Sequence, residues 1–495
     1  MKTSLNRAFG QRTASSARMA ALCVAMLLAA CGGGGGGNSA PPLATAFAPS
    51  AQLAHLCANP RPGTADRQGT VDQEKAYLRS FVDETYLWYR DVPAVNAASY
   101  TTPQAYFNVL KTNATTATGA LVDQFHWSQT TQSWNDTSAG ISEDYGILWA
   151  DLVNTIPRNW VVAEVAPGSP AAVAGVKRGD RIISVDGVDF ATSNTSAGVA
   201  ILNEGLFPRT LAPHVLVFSD NLVTSLAAGT YSIPSVQNVK TLATANGTVG
   251  YFVFDTHIAK SEQELIAAIN QLKTDQVSDL VIDMRYNGGG LLYIADGLAS
   301  MIADPASTAG KAFETLIYND KLGARSTTFP FYDLDSNGQL LPHLNLSRVT
   351  LLVTRDTASA SESVINSLRG VGVTVHLMGS TTRGKPYGFV PQDNCGYTYF
   401  AIQFKGVNNA GFGDYADGFR PTCAAADDFN HGRGDPLETM LSTALHYRLT
   451  GACPAVASAP AGPSAQAFRG TPFEPNVPTV VQPGVRALRI LTDRP

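Results

Sequence analysis

Residues 353–370 read VTRDTASASESVINSLRG and place four serines around the start of one predicted helix. They follow the apolar run VTLLVT at residues 349–354, which predicts a buried strand. A serine at a helix start either caps the first backbone amides or, facing the positive end of the helix dipole, acts as a nucleophile. For an isolated serine cluster the capping interpretation is the usual one. The surrounding sequence therefore has to decide between the two.

Strand and helix patterns alternate through residues 233–453. Three more apolar runs predict strands, namely VGYFVF at 249–254, DLVIDM at 279–284 and VTVHLMG at 373–379. Ser261 with Glu264 predicts a capped helix that runs through Leu272. This order is typical of an α/β layered domain.

Two further turns of this domain follow predicted strands and carry groups suited to catalysis. The glycines of residues 287–290, NGGG, let backbone amides point at a developing oxyanion, although a phosphate cradle or a plain tight turn would have the same sequence. Lys385 lies in the turn after residues 373–379. Because adjacent parallel strands bring their carboxyl-end loops to one edge, we expect Lys385 near the serines. A buried lysine can take a serine's proton, and His257, His376 and His431 are alternative bases only if the fold brings them close.

Composition narrows the class of protein. The chain has 495 residues, 44% of them hydrophobic, which is enough for two or three domains with cores of their own. Its net charge is −5, and only 15% of its residues are charged. Because no basic stripe is visible, nucleic acid is excluded as the expected partner.

The N-terminus predicts export and a lipid anchor. Residues 1–30 have a basic start and a short apolar core, as signal peptides do, and they end in Leu-Ala-Ala before Cys31. This resembles a bacterial lipobox, in which Cys31 would be lipidated; an ordinary signal peptide cut after Ala30 is the alternative. Residues 31–56 form a Gly-rich tether. No Asp follows Cys31, so we expect an outer-membrane lipoprotein on the periplasmic side.

A small helical domain is predicted at residues 57–140. Thr70 and Gln73 form a capping box for a helix over residues 70–90, and a second helix is predicted from Pro103 to about Lys111. Residues 454–495 are rich in Ala and Pro, and we expect this tail to pack loosely, if at all.

Residues 141–232 resemble a PDZ domain. The stretch SPAAVAGVKRGDRIISVDG, at residues 169–187, carries the resemblance. In that family a loop of backbone amides binds the carboxylate of a peptide C-terminus, which then adds as a strand. The resemblance assigns that loop to Tyr145, Gly146, Ile147 and Leu148. The alternative is a β-rich spacer that binds no peptide.

The motifs together resemble the C-terminal processing peptidases, or tail-specific proteases. The family's small-residue run stands here as TASASE, residues 357–362, and its Gly-Lys pair as Gly384-Lys385. The resemblance implies a crotonase/ClpP-like α/β core with an inserted PDZ domain. It makes Ser359 the nucleophile and Lys385 the general base.

The same resemblance implies an oxyanion hole and a substrate class. Gly288 or Gly289 would provide one amide and Ala360 the other. Substrates would be proteins or peptides with free C-termini, and neither cofactor nor metal is expected. Many members carry Gln four residues after the lysine, where this chain has Phe389. A non-catalytic binding protein and a PDZ scaffold with an inert core remain the alternatives.

Four cysteines follow the signal region, Cys57, Cys395, Cys423 and Cys453. An even number in an exported chain predicts disulfides, and four cysteines allow three pairings. We favour Cys395–Cys423 and Cys57–Cys453. No CxxC spacing occurs, so zinc is not expected. DLDSNG, residues 333–338, imitates a calcium loop, but Leu344 stands where the bidentate Glu would be, which favours a polar turn.

Overall fold

The structure is a computed structural model that describes residues 47–455 and the strand residues 479–481 and 488–490. The predicted signal peptide, Cys31 and most of the tether lie outside the described residues. Among the described residues, no helix combines the length and the apolar character that crossing a membrane requires.

The N-terminal domain is built from short helices and three short strands. Its elements are α1 (Ser50–Leu53), β1 (Leu56–Cys57), β2 (Arg67–Gln68), α2 (Val71–Thr85), α3 (Pro103–Phe107), β3 (Trp127–Thr130) and α4 (Thr131–Ser138). The side chain of Thr70 accepts from the Gln73 amide and caps α2 as predicted. Both helices are shorter than predicted. The backbone turns to an extended conformation at Tyr86, whose buried hydroxyl donates to Asp123.

The PDZ segment is a set of short antiparallel strands with two helices. Its elements are β4 (Ile141–Asp144), β5 (Ile147–Val153), β6 (Asn159–Val165), α5 (Pro170–Val173), β7 (Ile182–Val185), β8 (Val188–Asp189), α6 (Ser196–Leu206), β9 (His214–Phe218), β10 (Val223–Leu226) and β11 (Gly229–Ser232). Strands β4 and β11 pair with each other and join the two ends of the segment. Its own core contains the buried Trp149, Leu216 and Phe218.

The third part of the chain is the α/β domain. Its elements are β12 (Val236–Thr244), β13 (Gly247–Phe254), α7 (Ser261–Thr274), β14 (Asp279–Asp283), β15 (Gly289–Leu291), α8 (Leu292–Ile302), α9 (Pro305–Thr308), β16 (Ala312–Tyr318), β17 (Thr327–Pro330), β18 (Arg348–Val353), α10 (Ala360–Gly370), β19 (Thr374–Gly379), β20 (Tyr387–Gly388), β21 (Gln392–Asn394), β22 (Tyr397–Phe400), β23 (Phe404–Val407), β24 (Cys423–Ala424), α11 (Thr439–Thr450), β25 (Thr479–Val481) and β26 (Leu488–Ile490).

The main sheet of this domain has the strand order β12-β13-β14-β18-β19-β24. The pairs from β13 to β24 are parallel, so the loops after β14, β18 and β19 meet at one edge. Apolar side chains of β14 and β18 are buried, because helices pack on the sheet. The predicted α/β core with a PDZ domain and an N-terminal domain is confirmed.

The predicted cap of α7 is wrong. The Ser261 hydroxyl donates to the Thr256 carbonyl and does not cap the helix. The Glu264 carboxylate instead accepts from the hydroxyl and amide of Ser235 and from the Val236 amide. The carboxylate thus holds the segment that enters β12.

Residues 333–338 form the expected turn. The Asp335 carboxylate accepts from the amides of Asn337 and Gln339, so a local hydrogen-bond pattern accounts for the motif.

The favoured disulfide pairing is wrong, although all four cysteines are bonded. Cys57 pairs with Cys395, and Cys423 pairs with Cys453. The reason is that β22, which follows Cys395, pairs with β3 of the N-terminal domain and brings this hairpin close to β1. Cys423 begins β24 and lies near the end of α11, which Cys453 follows.

The tail contributes two strands, so the expectation of loose packing is wrong for these residues. Strand β25 pairs antiparallel with β5 of the PDZ segment. Strand β26 pairs parallel with β15, directly after the glycine turn.

Candidate active site

Ser359 lies in the sharp turn between β18 and α10. Its backbone has φ 63° and ψ −114°, a conformation that non-glycine residues rarely adopt because it is strained. The residue is fully buried, and its Oγ has no hydrogen-bond partner within the described part of the chain. Ser359 stands at the N-cap of α10, opposite Glu362 in a capping box, and the sharp turn holds its hydroxyl at the sheet edge.

Lys385 lies in the turn after β19, on the neighbouring strand. Gly384 precedes it with φ +83°, and a Cβ there would come within 2.3 Å of the Ala416 carbonyl oxygen, so the turn requires glycine. The lysine is fully buried. Its Nζ lies 3.6 Å from the ring centroid of Phe389 and 4.9 Å from that of Phe125.

Phe389 and Phe125 thus form two aromatic walls around the amine. Phe389 stands where the family resemblance implies Gln, and a ring face lies there in place of an amide. Phe125 comes from the N-terminal domain, which sequence reasoning did not connect with the site. The core of that domain also includes Phe389, Phe400 and Ile402, so the N-terminal domain encloses the lysine turn.

The carboxylate of Glu362 joins the serine turn to the lysine turn. It accepts from the Ser359 amide at 2.8 Å, the Thr382 hydroxyl at 2.6 Å, and the amides of Gly384 and Lys385 at 2.7 and 2.8 Å. Burial raises its pKa, although these four bonds favour the charged form. The sequence alone assigns Glu362 no role in catalysis, because the helix dipole is enough to explain an acidic residue in the first turn of a helix. Its place three residues after the nucleophile in the TASASE run was the available signal.

Asn287 holds the glycine turn against the serine turn. Its carbonyl accepts from the Ala358 amide and from the Ser361 hydroxyl. Its side-chain oxygen accepts from the Gly289 amide at 3.0 Å. Because the Gly289 amide is occupied in this way, Gly288 and Ala360 are the better pair of candidate oxyanion donors.

Of the three histidines considered, His257 lies at the glycine turn. Its Nδ1 is 3.1 Å from Asn287 Oδ1, and its amide donates to the Gly289 carbonyl. Burial lowers the pKa of His257 to about 3, despite these hydrogen bonds, so the ring is neutral. His376 stacks on Tyr447, and His431 pairs with Asp428, so both have other partners.

A cleft of about 1330 Å³ connects the PDZ loop to the glycine turn. All four predicted PDZ loop residues line it, together with Gly288 and Gly289. Tyr145 and Ile147 are buried, and Leu148 is half-buried. The Gly146 amide donates to the Asp144 carboxylate at 2.5 Å in this structure.

Buried ion pairs connect the PDZ segment to the α/β domain beside this cleft. Arg178 pairs with Asp427 at 2.5 Å, and Arg433 pairs with Glu164 at 3.0 Å. Arg285 pairs with the same Asp427 and with Glu438. Burial raises the pKa of Asp427, but Arg285 and Arg178 outweigh it, and the pKa lies below its usual value.

No cluster of side chains suited to a metal ion occurs among residues 47–455.

Comparisons with known proteins match each of the three parts of the chain to a family model. Residues 73–128 match the peptidase S41 N-terminal domain, residues 161–202 a PDZ domain, and residues 248–392 peptidase family S41. The predicted resemblance to peptidase family S41, with its N-terminal domain and a PDZ domain, is confirmed.

Curated relatives match about half of the chain. A carboxyl-terminal-processing protease of Picosynechococcus sp. is 30% identical over 220 residues, which cover 44% of this chain and 49% of that protein. A protein of the same name from Synechocystis sp. is 26% identical over 248 residues, covering 47% and 51%. The chain thus spans about half the length of the curated relatives it matches.

A crystal structure from Bacteroides fragilis, assigned to the S41 proteases, shares the fold. The alignment has a TM-score of 0.61 and 24% identity, and it covers 76% of this chain and 97% of that one. It supports the three-part architecture.

Proposed function

We propose that this chain is a serine endopeptidase with a Ser359–Lys385 dyad. The observation that carries the proposal is the buried, strained Ser359 turn, which Glu362 ties to the Lys385 turn at the same sheet edge. A capping serine needs neither the strained backbone nor a buried lysine turn beside it. Lys385 is fully buried beside the serine turn, and a general base requires the neutral form of the amine.

The reaction would be acyl transfer to Ser359. The amine of Lys385 takes the hydroxyl proton as Oγ attacks a peptide carbonyl. The amides of Gly288 and Ala360 stabilise the oxyanion. The Lys385 ammonium then gives its proton to the leaving amine, which frees the C-terminal fragment. Water hydrolyses the acyl-enzyme with Lys385 again as the base.

Substrates would be envelope proteins cleaved near their C-termini. The cleft that joins the PDZ loop to the glycine turn supports this, because it is continuous from one to the other. The PDZ segment would recognise the free C-terminus by strand addition. A lipid on Cys31 would anchor the protein to the outer membrane. Its test is membrane fractionation of wild type and Cys31→Ser, since loss of the lipid should release the variant.

The catalytic proposal is tested with the chain from residue 38 onward and an unfolded substrate that has an apolar C-terminus. Ser359→Ala and Lys385→Ala should each lower kcat/KM at least about a thousandfold while circular dichroism stays unchanged. Ser367→Ala, a buried serine on the same helix, and Lys405→Ala, a lysine on β23, are the matched controls and should retain activity.

Two other results would contradict the proposed peptidase activity or the proposed dyad. If wild type were inert on such substrates but bound them, the alternative of a non-catalytic binding protein would replace the peptidase. If Ser359→Ala kept full activity, the dyad would be wrong even though the family assignment stands.

A further inference from the structure

Strands β25 and β26 of the tail lie against β5 and β15, the two strands whose edges a peptide in the cleft would use. Strand β25 adds to the open edge of β5, with Thr479 opposite Asp151 and Val481 opposite Trp149. Strand β26 runs beside β15, with Leu488 opposite Gly289 and Ile490 opposite Leu291. The other edge of β15 is covered, because the His257 amide donates to the Gly289 carbonyl and the His257 carbonyl accepts from the Leu291 amide.

The second strand also lies against the catalytic elements. It contacts α10, which follows Ser359, and β20, which follows Lys385. The backbone of residues 488–490 therefore lies among the glycine turn, the serine helix and the lysine turn. A peptide in position for cleavage needs this same space.

Strands β25 and β26 are close together in the sequence, and the direction of β25 is fixed by its pairing. Because β25 is antiparallel to β5, it runs toward the PDZ loop at residues 145–148. Six residues separate β25 from β26 and reach at most about 20 Å.

We infer that the strands at residues 479–481 and 488–490 are intramolecular ligands of the β5 and β15 edges beside the cleft, and that a peptide substrate has to displace them. The effect of the tail on catalysis rests on the proposed function. Only if the chain is a peptidase can an occupied cleft lower the rate of peptide cleavage. Strand addition depends on main-chain hydrogen bonds, so an extended peptide of another protein can compete for the same edges. A tethered segment has an effective concentration in the millimolar range, so a free peptide competes at a disadvantage.

The first test is a cross-link that needs no turnover. In the Ser359→Ala chain, Asp151→Cys with Thr479→Cys should form a disulfide, since antiparallel Cα partners lie about 4.5–5.5 Å apart. Asp151→Cys with Val481→Cys is the control, because it is shifted by two residues and exceeds disulfide reach. Peptide mapping by mass spectrometry distinguishes the new bond from the two native ones.

The second test measures competition for the cleft. A fluorescent peptide of residues 477–492 should bind the Ser359→Ala chain ending at residue 455 at least tenfold more tightly than the same chain ending at residue 495. The same peptide with Val480→Pro and Arg489→Pro lacks two amides for strand pairing and should bind the shorter chain more weakly. On the active protein, removal of residues 456–495 should raise kcat/KM several-fold.

The outcomes separate the two proposals. A cross-link that fails in the matched pair, or forms equally in the shifted pair, would overturn the inference, as would equal peptide affinity for the two chain lengths. If the matched cross-link forms and both chain lengths are inert, the tail still occupies the cleft and the peptidase proposal fails. If cleavage proceeds but neither binding test succeeds, the peptidase proposal stands alone.

Discussion

Glu362 links the turn that carries Ser359 to the turn that carries Lys385. Each of its two oxygens accepts from two donors, and these come from both the serine turn and the lysine turn. A carboxylate offers enough lone pairs for all four bonds, whereas an amide of the same shape offers one oxygen.

Glu362→Gln should therefore lower kcat by about tenfold or more and should also lower stability. At least two of the four donors would face an amide nitrogen, and a buried unsatisfied group costs about 1–3 kcal/mol. Activity per folded molecule and the free energy of unfolding are measured together. Glu438→Gln is the control, since this buried carboxylate caps α11 and pairs with Arg285 away from the serine. Equal loss of kcat in both variants would assign Glu362 a purely structural role.

His257 makes the stability of the folded protein depend on pH. Its pKa of about 3 lies below the ordinary value of 6.5 because the ring is buried. Between these values the unfolded chain takes up a proton that the folded chain does not. Folding free energy is thus fully retained above pH 6.5 and is lost as pH falls toward 3.

We expect His257→Gln to reduce this acid sensitivity. Between pH 6.5 and 4, the slope of the unfolding free energy against pH should fall by at most about 1.4 kcal/mol per pH unit, which corresponds to the uptake of one proton. Denaturant unfolding at several pH values measures the slope for both proteins. An unchanged slope would mean that the ring is already protonated in the folded protein.

At the scale of elements, the two disulfides hold different parts of the chain. Cys57–Cys395 joins β1 to the hairpin after Phe389, across a sequence separation of 338 residues. Cys423–Cys453 joins β24 to the end of α11, across 30 residues. Cross-linking a longer loop removes more entropy from the unfolded chain.

The double variant Cys57→Ala/Cys395→Ala should accordingly lose about 2 kcal/mol more stability than Cys423→Ala/Cys453→Ala. It should also lose more activity, because the N-terminal domain that places Phe125 beside Lys385 is no longer tied to the hairpin. Denaturant midpoints and kcat/KM are compared in the two variants. A larger stability loss in the second variant would show that α11 docking outweighs the loop entropy.

Elements with a strong local pattern could be predicted, and those set by distant partners could not. Residues 280–282 and 351–353 are continuous apolar runs, and both lie within buried strands. The helix after Thr70 ends early, because the Tyr86 hydroxyl bonds to Asp123, 37 residues further along. Cysteine pairing depends on which hairpin lies beside which strand. The spacing of the cysteines in the sequence does not predict that arrangement.

The same distinction holds for the candidate site: local motifs predicted some of its residues, and distant parts of the chain supplied the others. Ser359, Lys385 and the glycine turn were placed by motifs, and the parallel sheet brings their loops to one edge. Phe125 was missed because it lies 260 residues before Lys385 and belongs to another domain. The tail strands were missed because Ala- and Pro-rich composition hides short strand pairings.

At the scale of the whole molecule, Arg178 fastens the PDZ segment to the α/β domain. Its guanidinium donates to Asp427, to the Tyr286 hydroxyl and to the carbonyls of Asp428 and His431. Because Tyr286 also lines the cleft, these contacts join the PDZ segment to the α/β domain at the cleft wall.

Arg178→Met should loosen the PDZ segment and cost about 3 kcal/mol, because it removes one partner of a buried ion pair. Hydrogen exchange should rise in β5 to β9 more than in the main sheet. Arg181→Met, an exposed arginine of the same segment, is the control and should change neither quantity. Faster exchange spread evenly over the chain would contradict a fastening role.

The assembly of the site from distant parts has a consequence for the chain during its synthesis. A ribosome makes Phe125 first, the glycine turn at residues 287–290 much later, and Ser359 and Lys385 later still. The hairpin that carries Cys395 and the helix α11 follow after that. A partly made chain that ends before residue 385 therefore already contains the whole PDZ segment, but it lacks Lys385, the hairpin with Cys395 and α11, so the candidate site is completed only late in translation.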